Sequence, residues 1–393
     1  MRLMRDEERT LAGEHGEAKA KAMEILCAVG KIYGADRLIP VRSAQVAGVS
    51  YKTIGDAGLE FLEEFVKKGA KASIPSFLNP AGMDREDWRQ MGIPPKFAVK
   101  QLRILRAYMR MGIETTCTCA PYHIGIRPKL GEHIAWSESS AISFANSMLG
   151  ARTNRESAVT ALASAIIGRT PNFGLHLEEN RRATLFVDVE AKMGKVTDFG
   201  ALGAIVGKVA GSRIPAFDGI GKKAGTEDRM KSLGATMAAV GSVALYYAKG
   251  ITPEWRLAGE EEDLETITVE GKELKEAKER MQSAKAVELV TIGCPHCSLA
   301  EVKEVAQRLK GKKLKVALWV CVSREIKEKA KELGYVRAIE QAGGLVVADT
   351  CMVVAPLEEM GYKSTGVNSG KAATYLPSFC GQKIRFADVE ELL

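Results

Sequence analysis

The sequence predicts an α/β fold in which parallel sheets are flanked by helices. Three short apolar runs, AVELVTIG, LKVALWVCV and GGLVVADTC, alternate near the C-terminus with charged stretches such as REIKEKAKE. Such alternation is typical of buried parallel strands joined by crossover helices. Short apolar runs also alternate with helical patterns in the N-terminal half. We therefore expect α/β architecture along the whole chain.

The N-terminal elements follow one another at regular intervals. Apolar positions from Asp6 to Gly34 have helical spacing, and GADRLIPVRSAQVAGVS then supplies a strand and a glycine-rich loop. The next predicted elements are helix 56–68, strand 72–77, helix 96–111, strand 113–116, helix 138–149, helix 155–167 and strand 183–189. An apolar helix is expected around 228–248, and it is too short and too interrupted by Gly, Ser and Thr to span a membrane.

A chain of 393 residues exceeds the usual length of one domain, roughly 100–200 residues. The acidic stretch AGEEEDLETITVEGKELKEAKER is the best candidate for a linker. We expect an N-terminal α/β region at 1–260, which contains Cys119, and a C-terminal α/β domain at 261–393, which contains Cys294 and Cys351.

The composition is that of a globular protein, with 46% apolar and 27% charged residues. The net charge of +7 is spread over stretches in which basic and acidic residues alternate, which is typical of solvated helix faces. We therefore expect neither nucleic acid nor membrane as a partner. The N-terminus has no apolar segment and is too acidic for a transit peptide, so a cytoplasmic protein is expected.

The cysteines follow predicted strands. Cys117 and Cys119 come after GIETT, Cys294 and Cys297 come after AVELVTIG, and Cys351 comes after GGLVVAD. Because ligands of open α/β sheets bind at the carboxyl ends of the strands, these thiols could converge there and mark the active site. Disulfides are not expected in a cytoplasmic chain of this size.

Two other cysteines, Cys27 and Cys321, lie inside apolar patterns and are interpreted as small hydrophobic residues. The CPHC motif allows two interpretations. A zinc half-site requires a second CxxC or HxxH at short range, and none is present. A thioredoxin-like redox pair fits better but leaves Cys119 and Cys351 unexplained. Three single cysteines from three loops would suit an iron–sulfur cluster with one iron left open for substrate.

Several long motifs resemble the large subunit of the aconitase X family. They are AGVSYKTIGDAGLEFLEEF, CAPYHIGIRPKLGEHIAWSESSAISFANSMLGARTNRE, IGCPHCSLAEV, ADTCMVVAP and TGVNSGKAATYLP. The similarity runs through nearly the whole chain and is closest to archaeal members that act on phosphomevalonate. The resemblance implies an aconitase-like multi-domain architecture and a dehydratase activity.

The resemblance also implies the cofactor and its ligands. Matched motif by motif, the family cysteines fall on Cys119, Cys294 and Cys351, which would hold a 4Fe-4S cluster with three cysteine ligands and one open iron. Cys117 and Cys297 lie at positions that the family pattern does not fix as cysteine. The family uses a small swivelling domain that contributes the serine base, so a separate small subunit is expected as partner.

Candidate substrate-binding residues lie in three loops. Arg152 offers a fork for a carboxylate, and the helix that follows offers free N–H groups. The full substrate-binding set is Asn146, Ser147, Arg152, Thr153, Asn154, Ser369 and Lys371, and the candidate catalytic set is Arg152, Ser50 and Lys52. One of Thr153 and Asn154 is expected merely to cap the following helix. His123 and His296 adjoin proposed ligands but are interpreted as structural histidines.

The expected function is that of the catalytic, iron–sulfur subunit of a hydro-lyase in the archaeal mevalonate pathway. It would dehydrate (R)-5-phosphomevalonate to trans-anhydromevalonate 5-phosphate, with a cluster iron as Lewis acid for the leaving hydroxyl. The basic loops around Lys52 and Lys371 favour this phosphorylated substrate. The alternatives are a cis-3-hydroxy-L-proline dehydratase and a non-catalytic zinc- or thiol-binding protein.

Overall fold

The structure is a computed structural model that describes residues 1–259 and 264–393. Its helices are α1 Arg5–Leu11, α2 Glu17–Ile32, α3 Tyr51–Lys67, α4 Pro95–Arg110, α5 Ser139–Met148, α6 Ala158–Ile167, α7 Val196–Ala210, α8 Glu227–Gly241, α9 Gly271–Arg280, α10 Leu299–Leu309, α11 Arg324–Glu332, α12 Tyr335–Gln341, α13 Gly370–Cys380 and α14 Val389–Leu392. Its strands are β1 Leu38–Pro40, β2 Ala44–Val46, β3 Ser76–Leu78, β4 Ala135–Trp136, β5 Arg169–Pro171, β6 Leu185–Val189, β7 Pro215–Asp218, β8 Tyr247–Ala248, β9 Thr266–Val269, β10 Leu289–Ile292, β11 Ala317–Val322, β12 Leu345–Ala348, β13 Ser364–Val367 and β14 Lys383–Phe386. Parallel sheets flanked by helices confirm the predicted α/β class.

The N-terminal sheet is small and lies beneath long amphipathic helices. It has three parallel strands in the order β3-β2-β4, and β1 and β5 form a separate antiparallel pair. Helices α2, α3, α4 and α6 bury their apolar faces in one core that includes Leu26, Leu59, Ile104 and Leu162. Burial of that core holds this region together, because the strands themselves are only two or three residues long.

The middle sheet has four parallel strands in the order β8-β7-β6-β9, covered by α7 and α8. These two helices approach at backbone distance. A Cβ atom at Gly241 would lie 1.9 Å from the carbonyl oxygen of Gly207, and one at Gly203 would lie 2.8 Å from the carbonyl oxygen of Leu233. Only glycine therefore fits at the closest point of this helix pair.

The C-terminal sheet has five parallel strands in the order β12-β11-β10-β13-β14. The four residues of β10 are all buried, and five of the six in β11 are buried. Continuous burial of this kind is expected of parallel strands covered by helices on both faces. The apolar runs of the sequence thus form the centre of this sheet.

Three predicted elements differ from the structure. The predicted helix over 6–34 is divided, because Gly13 and Gly16 adopt φ values of 91° and 95° that end one helix before the next begins. The apolar helix predicted at 228–248 ends at Gly241, and Ser242 has a left-handed conformation. The predicted strand 113–116 contributes a single bridge, between Glu114 and Phe77.

The segment predicted as a linker is largely structured. Strand β9 pairs in parallel with β6, and α9 packs against α7, so this part of the chain belongs to the middle sheet. The predicted boundary between residues 260 and 261 lies outside the described residues. Across 1–259 and 264–393, no helix is long and apolar enough to cross a membrane.

Candidate functional site

Three buried cysteines from three loops line one cavity. Cys294 follows β10 and Cys351 follows β12, so both leave the carboxyl edge of the C-terminal sheet. Cys119 enters from the N-terminal region, on a loop in which the backbone N–H of Thr118 donates to the carbonyl of Leu78 at the end of β3. The cavity has a volume of about 240 Å³. The carboxyl ends of strands in two sheets therefore meet at one thiol-lined site.

Each of these sulfur atoms has a polar hydrogen near it. The backbone N–H of His296 donates to Sγ of Cys119 at 3.2 Å. The hydroxyl of Ser369 faces the thiol of Cys294, and the backbone N–H groups of Val353 and Val354 face that of Cys351. Such donors stabilise a thiolate more than a thiol and are the usual companions of sulfur ligands.

Burial is the largest influence on the acidity of the three thiols. It raises the pKa of Cys294 to about 12 and that of Cys351 to about 11, and it raises the pKa of Cys119 well above its usual value. A bound cation reverses this preference, because a coordinating thiol loses its proton outright. The site therefore suits a strongly bound cationic group rather than free thiolates.

The remaining cysteines near these loops face apolar cores. Cys117, whose φ is 45°, is fully buried in the N-terminal core and does not line the cavity. Cys297 packs in the core beneath β10 and β11, and its N–H donates to the carbonyl of Cys321. Cys321 is buried within β11, and Cys27 packs beside the N-terminal core.

Lys371 and Glu138 form an ion pair in the wall of the cavity. Lys371 lies in the first turn of α13, where its ammonium bonds the carboxylate of Glu138 and lies 3.3 Å from the hydroxyls of Ser139 and Ser140. Burial opposes charge on both partners, but mutual attraction outweighs it, so the pKa of Glu138 is lowered and that of Lys371 is raised. Asn79 donates to the same carboxylate at 2.6 Å.

Sequence reasoning found Lys371 and missed Glu138. The signal for Glu138 was its position immediately before α5, where its side chain caps the helix by accepting from the N–H of Ser140. Tyr375 and Phe379 of α13 add an aromatic side to the cavity. Their spacing of four residues on an amphipathic helix was the signal that could have identified them.

Ser50 and Lys52 lie beside the site without lining the cavity. The hydroxyl of Ser50 donates to the carbonyl of Val354 and caps α3. The ammonium of Lys52 pairs with Glu358 at 2.8 Å and lies 3.0 Å from Sγ of Cys380. Both residues thus tie α3 to the loop that follows Cys351.

Arg152 does not reach the cavity. Its guanidinium forms two bonds of 2.7 and 2.6 Å with the carboxylate of Glu254, and Arg181 binds the same carboxylate at 3.1 Å. The fork expected to bind a substrate carboxylate therefore binds a carboxylate of the chain itself. A role of Arg152 toward substrate stays a prediction.

The neighbours of Arg152 in the sequence are buried and engaged in internal hydrogen bonds. Asn146 bonds the backbone of Thr153 in both directions, and the hydroxyl of Ser147 accepts from the N–H of Tyr246. Asn154 bonds the backbone of Phe173 and Leu175. Helix α6 is capped by Ser157 rather than by Thr153 or Asn154. Ser369 caps α13 next to Lys371.

A second cluster of side chains that could bind metal already contains a cation. Ligand atoms of His123, Asp228 and Glu301 lie within 4.8 Å of one another. The ammonium of Lys231 lies 2.9 Å from Oδ1 of Asp228, 3.4 Å from Nε2 of His123, and bonds Glu301. Because the lysine supplies the positive charge, this cluster is an internal ion-pair network.

Two buried aspartates hold the Cys351 loop in place. Asp84 accepts from the N–H of Ala348 at 2.9 Å and pairs with Lys327 at 3.0 Å and Arg324 at 2.6 Å. Asp349, whose φ is 64°, pairs with Arg324 and Arg85. The N-terminal loop after β3 is thereby fastened to the carboxyl edge of the C-terminal sheet.

The residues at the cavity fit an iron–sulfur cluster. The donor set is three sulfurs, each faced by a polar N–H or O–H group, and soft thiolate ligands favour such clusters and zinc. The three loops contribute one facing thiol each, so a fourth coordination position would be left to another molecule. Among the described residues that line the cavity, Glu138 is the one Asp, Glu or His side chain.

The fold and site define a multi-domain α/β protein with a thiol-lined cavity that could hold a ligand. Models of the aconitase X first, second and third domains match residues 1–179, 183–279 and 287–393. The chain belongs to the aconitase X family, which confirms the resemblance. Its structure is similar to the crystal structure of Thermococcus kodakaraensis aconitase X in its holo form, with a TM-score of 0.93, 51% identity, and coverage of 100% of this chain and 99% of that one.

Curated relatives fall into two groups. The phosphomevalonate dehydratase large subunit of Methanocaldococcus jannaschii is 52% identical over 100% of this chain and 99% of the relative. The protein of the same description from Methanothermobacter thermautotrophicus is 51% identical over 100% and 98%. The cis-3-hydroxy-L-proline dehydratase of Pseudomonas aeruginosa is 35% identical over 96% of this chain and 67% of the relative.

Replacement of Asp84 by Asn should remove a pH-dependent part of the stability. The pKa of Asp84 is lowered from 3.8 to about 2, since Lys327 and hydrogen bonds outweigh burial. A lowered carboxyl pKa stabilises the fold above pH ~4 and loses this effect as the pH falls toward 2. The difference in free energy of unfolding between wild type and Asp84→Asn should therefore be about 2 kcal/mol larger at pH 6 than at pH 2, as measured by urea denaturation.

The matched control is Glu86→Gln. Glu86 bonds the same Arg324, but its side chain is 68% exposed, so its loss should cost well under 1 kcal/mol at pH 6. An equal cost for the two variants would contradict the assignment of Asp84 as the buried anchor.

Proposed function

We propose that the chain is the large subunit of a phosphomevalonate dehydratase, a hydro-lyase that converts (R)-5-phosphomevalonate to trans-anhydromevalonate 5-phosphate in the cytoplasm. The observation that carries the proposal is that four full-length relatives of this description are 50–52% identical, against 34–35% for the hydroxyproline dehydratases; a fifth relative of the same description is 35% identical. The thiol-lined cavity supports it by supplying a site for the chemistry.

The proposed cofactor is a 4Fe-4S cluster held by Cys119, Cys294 and Cys351, with one iron open. When bound, it supplies a Lewis acid toward the leaving hydroxyl. The chain contributes the three thiolates, the donors that face them, and one wall of aromatic side chains from α13. The support for this ligand set is that each cysteine leaves a different loop and faces the same cavity.

The proposed role of Lys371 is to bind an anionic end of the substrate. Among the described residues that line the cavity it is the basic one, and its ammonium is held by Glu138 and two serine hydroxyls. A carboxylate or phosphate that enters would share this ammonium with Glu138. The surrounding hydroxyls can donate to the same anion, so the charge is placed before substrate arrives.

The proposed partner is a separate small subunit that closes the cavity and supplies the proton-abstracting group. The support is that the relatives matched at 98–99% of their length are described as large subunits. The Pseudomonas hydroxyproline dehydratase, by contrast, has about a third of its length outside the match. Among this chain's own groups at the cavity, Glu138 is tied to a cation that lowers its pKa, which makes it a weak base.

The test is turnover by the chain purified under anaerobic conditions and mixed with its small subunit. We expect dehydration of phosphomevalonate, slow or no dehydration of cis-3-hydroxy-L-proline, and little turnover by the chain alone. Preferred turnover of hydroxyproline would move the assignment to that activity. A colourless protein that binds zinc and turns over neither compound would support the non-catalytic alternative.

Single replacements of Cys119, Cys294 or Cys351 by Ser should abolish retention of iron and sulfide. Cys117→Ala and Cys297→Ala serve as matched controls, since each removes a buried thiol that packs in a core instead of the cavity. The measurement is iron and acid-labile sulfide per chain after anaerobic reconstitution. Loss of the cluster in Cys297→Ala with retention in Cys294→Ala would reverse the ligand assignment.

Lys371→Met should lower kcat/KM for phosphomevalonate by about ten- to a hundredfold, which corresponds to a charge-assisted hydrogen bond of roughly 1.5–3 kcal/mol. The single variant leaves Glu138 buried without its partner, so the double variant Lys371→Met/Glu138→Gln is the control for folding. The double variant should regain thermal stability without regaining kcat/KM.

Lys52→Met removes a lysine that pairs with Glu358 outside the cavity and should have a much smaller effect. Comparison of phosphomevalonate with unphosphorylated mevalonate identifies which anionic end Lys371 binds. Equal activity of Lys371→Met and wild type on phosphomevalonate would show that this lysine does not contact the substrate.

A further inference from the structure

His296 is buried at the centre of the three cysteine loops. Its side chain is 1% exposed and lies two residues after Cys294. Ring atom Nδ1 lies 3.0 Å from the hydroxyl of Thr118, and Nε2 lies 2.9 Å from the carbonyl oxygen of Thr350. Thr118 immediately precedes Cys119, and Thr350 immediately precedes Cys351. One imidazole therefore joins the residues beside all three cysteines.

The hydrogen bonds determine the tautomer of this ring. A carbonyl oxygen can only accept, so Nε2 carries the hydrogen that is donated to Thr350. Nδ1 is then an acceptor and receives the hydroxyl hydrogen of Thr118. The oxygen of Thr118 in turn accepts from the N–H of Ala120 at 3.1 Å. Each hydrogen bond in this series joins one donor to one acceptor. The imidazole is therefore neutral, and its ring orientation is fixed.

The backbone of His296 takes part as well. Its N–H donates to Sγ of Cys119 at 3.2 Å, and its carbonyl accepts from the ammonium of Lys231 at 3.3 Å. Lys231 thereby fastens the Cys294 loop to α8, and the backbone of the same loop contacts the sulfur of Cys119. Both the side chain and the main chain of one residue hold the separation of the three loops.

We infer that His296 is a positioning residue that sets the mutual distances of the three thiolates and so controls how firmly the cluster is held. This inference rests on the proposed cluster. A cluster ligated by three loops from two sheets is sensitive to the spacing of those loops, and groups that orient ligands commonly change metal affinity by about 10–100-fold when they are removed. The competing explanation is that His296 only fills space in the core.

Two sets of variants separate these explanations. His296→Leu keeps the bulk and removes both hydrogen bonds, whereas His296→Gln can keep the donor toward Thr350. Thr118→Val removes the hydroxyl that donates to the ring while keeping its shape, and Thr118→Ser restores that hydroxyl. His15→Gln changes a histidine far from the site and is the control.

The experiment uses the reconstituted chain with its small subunit under anaerobic conditions. Iron and sulfide per chain, the electron paramagnetic resonance spectrum of the reduced protein, and the rate of iron loss to a chelator are measured together with the melting temperature. We expect His296→Leu to lose iron at least tenfold faster and to show a changed spectrum. Thr118→Val should also lose iron faster and show a changed spectrum. Thr118→Ser and His15→Gln should match wild type in both measurements.

The outcomes distinguish the two proposals. If wild type holds a cluster and both His296→Leu and Thr118→Val match it in iron-loss rate and spectrum, the positioning role is overturned and the proposed function stands. If His296→Leu does not fold, His296→Gln and Thr118→Val decide the question together, because His296→Gln leaves the bond from the N–H of Ala120 to Thr118 in place. Faster iron loss than wild type in both variants supports the positioning role, and wild-type iron loss in either one overturns it. A wild-type chain that retains no iron or sulfide would overturn the proposed cluster and the inference with it.

Discussion

The structure depends on the buried carboxylates that fasten the N-terminal region to the carboxyl edge of the C-terminal sheet. Asp84 and Asp349 are both fully buried, and Arg324 pairs with each of them. An unpaired buried charge is costly, so removal of either aspartate would leave Arg324 and a second cation, Lys327 or Arg85, with less compensation. The same network includes the backbone of Ala348, three residues before Cys351. The fold therefore buries paired charges next to the loop that carries Cys351, one of the three thiols at the cavity.

A second set of buried charges fixes the middle domain to the same site. Lys231, on α8, bonds Glu301 of α10 and the carbonyl of His296, and it lies beside His123 of the N-terminal region. Helix α8, which carries this lysine, also packs against α7 at backbone distance, with Gly241 against Gly207. Each of the three domain models contributes a side chain to the cluster around Lys231.

The parts of the site that were predictable are those that local pattern controls. Apolar runs mark the strands, and loops after parallel strands share an edge, so the convergence of cysteines could be expected. Contacts between residues distant in sequence could not be predicted. The fork of Arg152 suggested a ligand site, yet its carboxylate partner Glu254 lies 102 residues away and the fold alone brings them together. Likewise, Lys371 and Glu138 are separated by 233 residues. Ion pairs between residues of different domains produce no periodic pattern and no motif in the sequence, so they cannot be recognised there.

The CPHC motif shows why even a local pattern left its meaning open. Both of its cysteines are buried, yet only Cys294 lines the cavity, because the backbone before it turns at Gly293 with a φ of 106°. A Cβ atom at Gly293 would lie 2.3 Å from the carbonyl oxygen of Cys321, so that strand and loop can meet only at glycine. The same carbonyl accepts from the N–H of Cys297 and holds the second thiol against the core. The neighbouring strand β11 therefore decides which of the two thiols lines the cavity, and spacing within the motif does not reveal it.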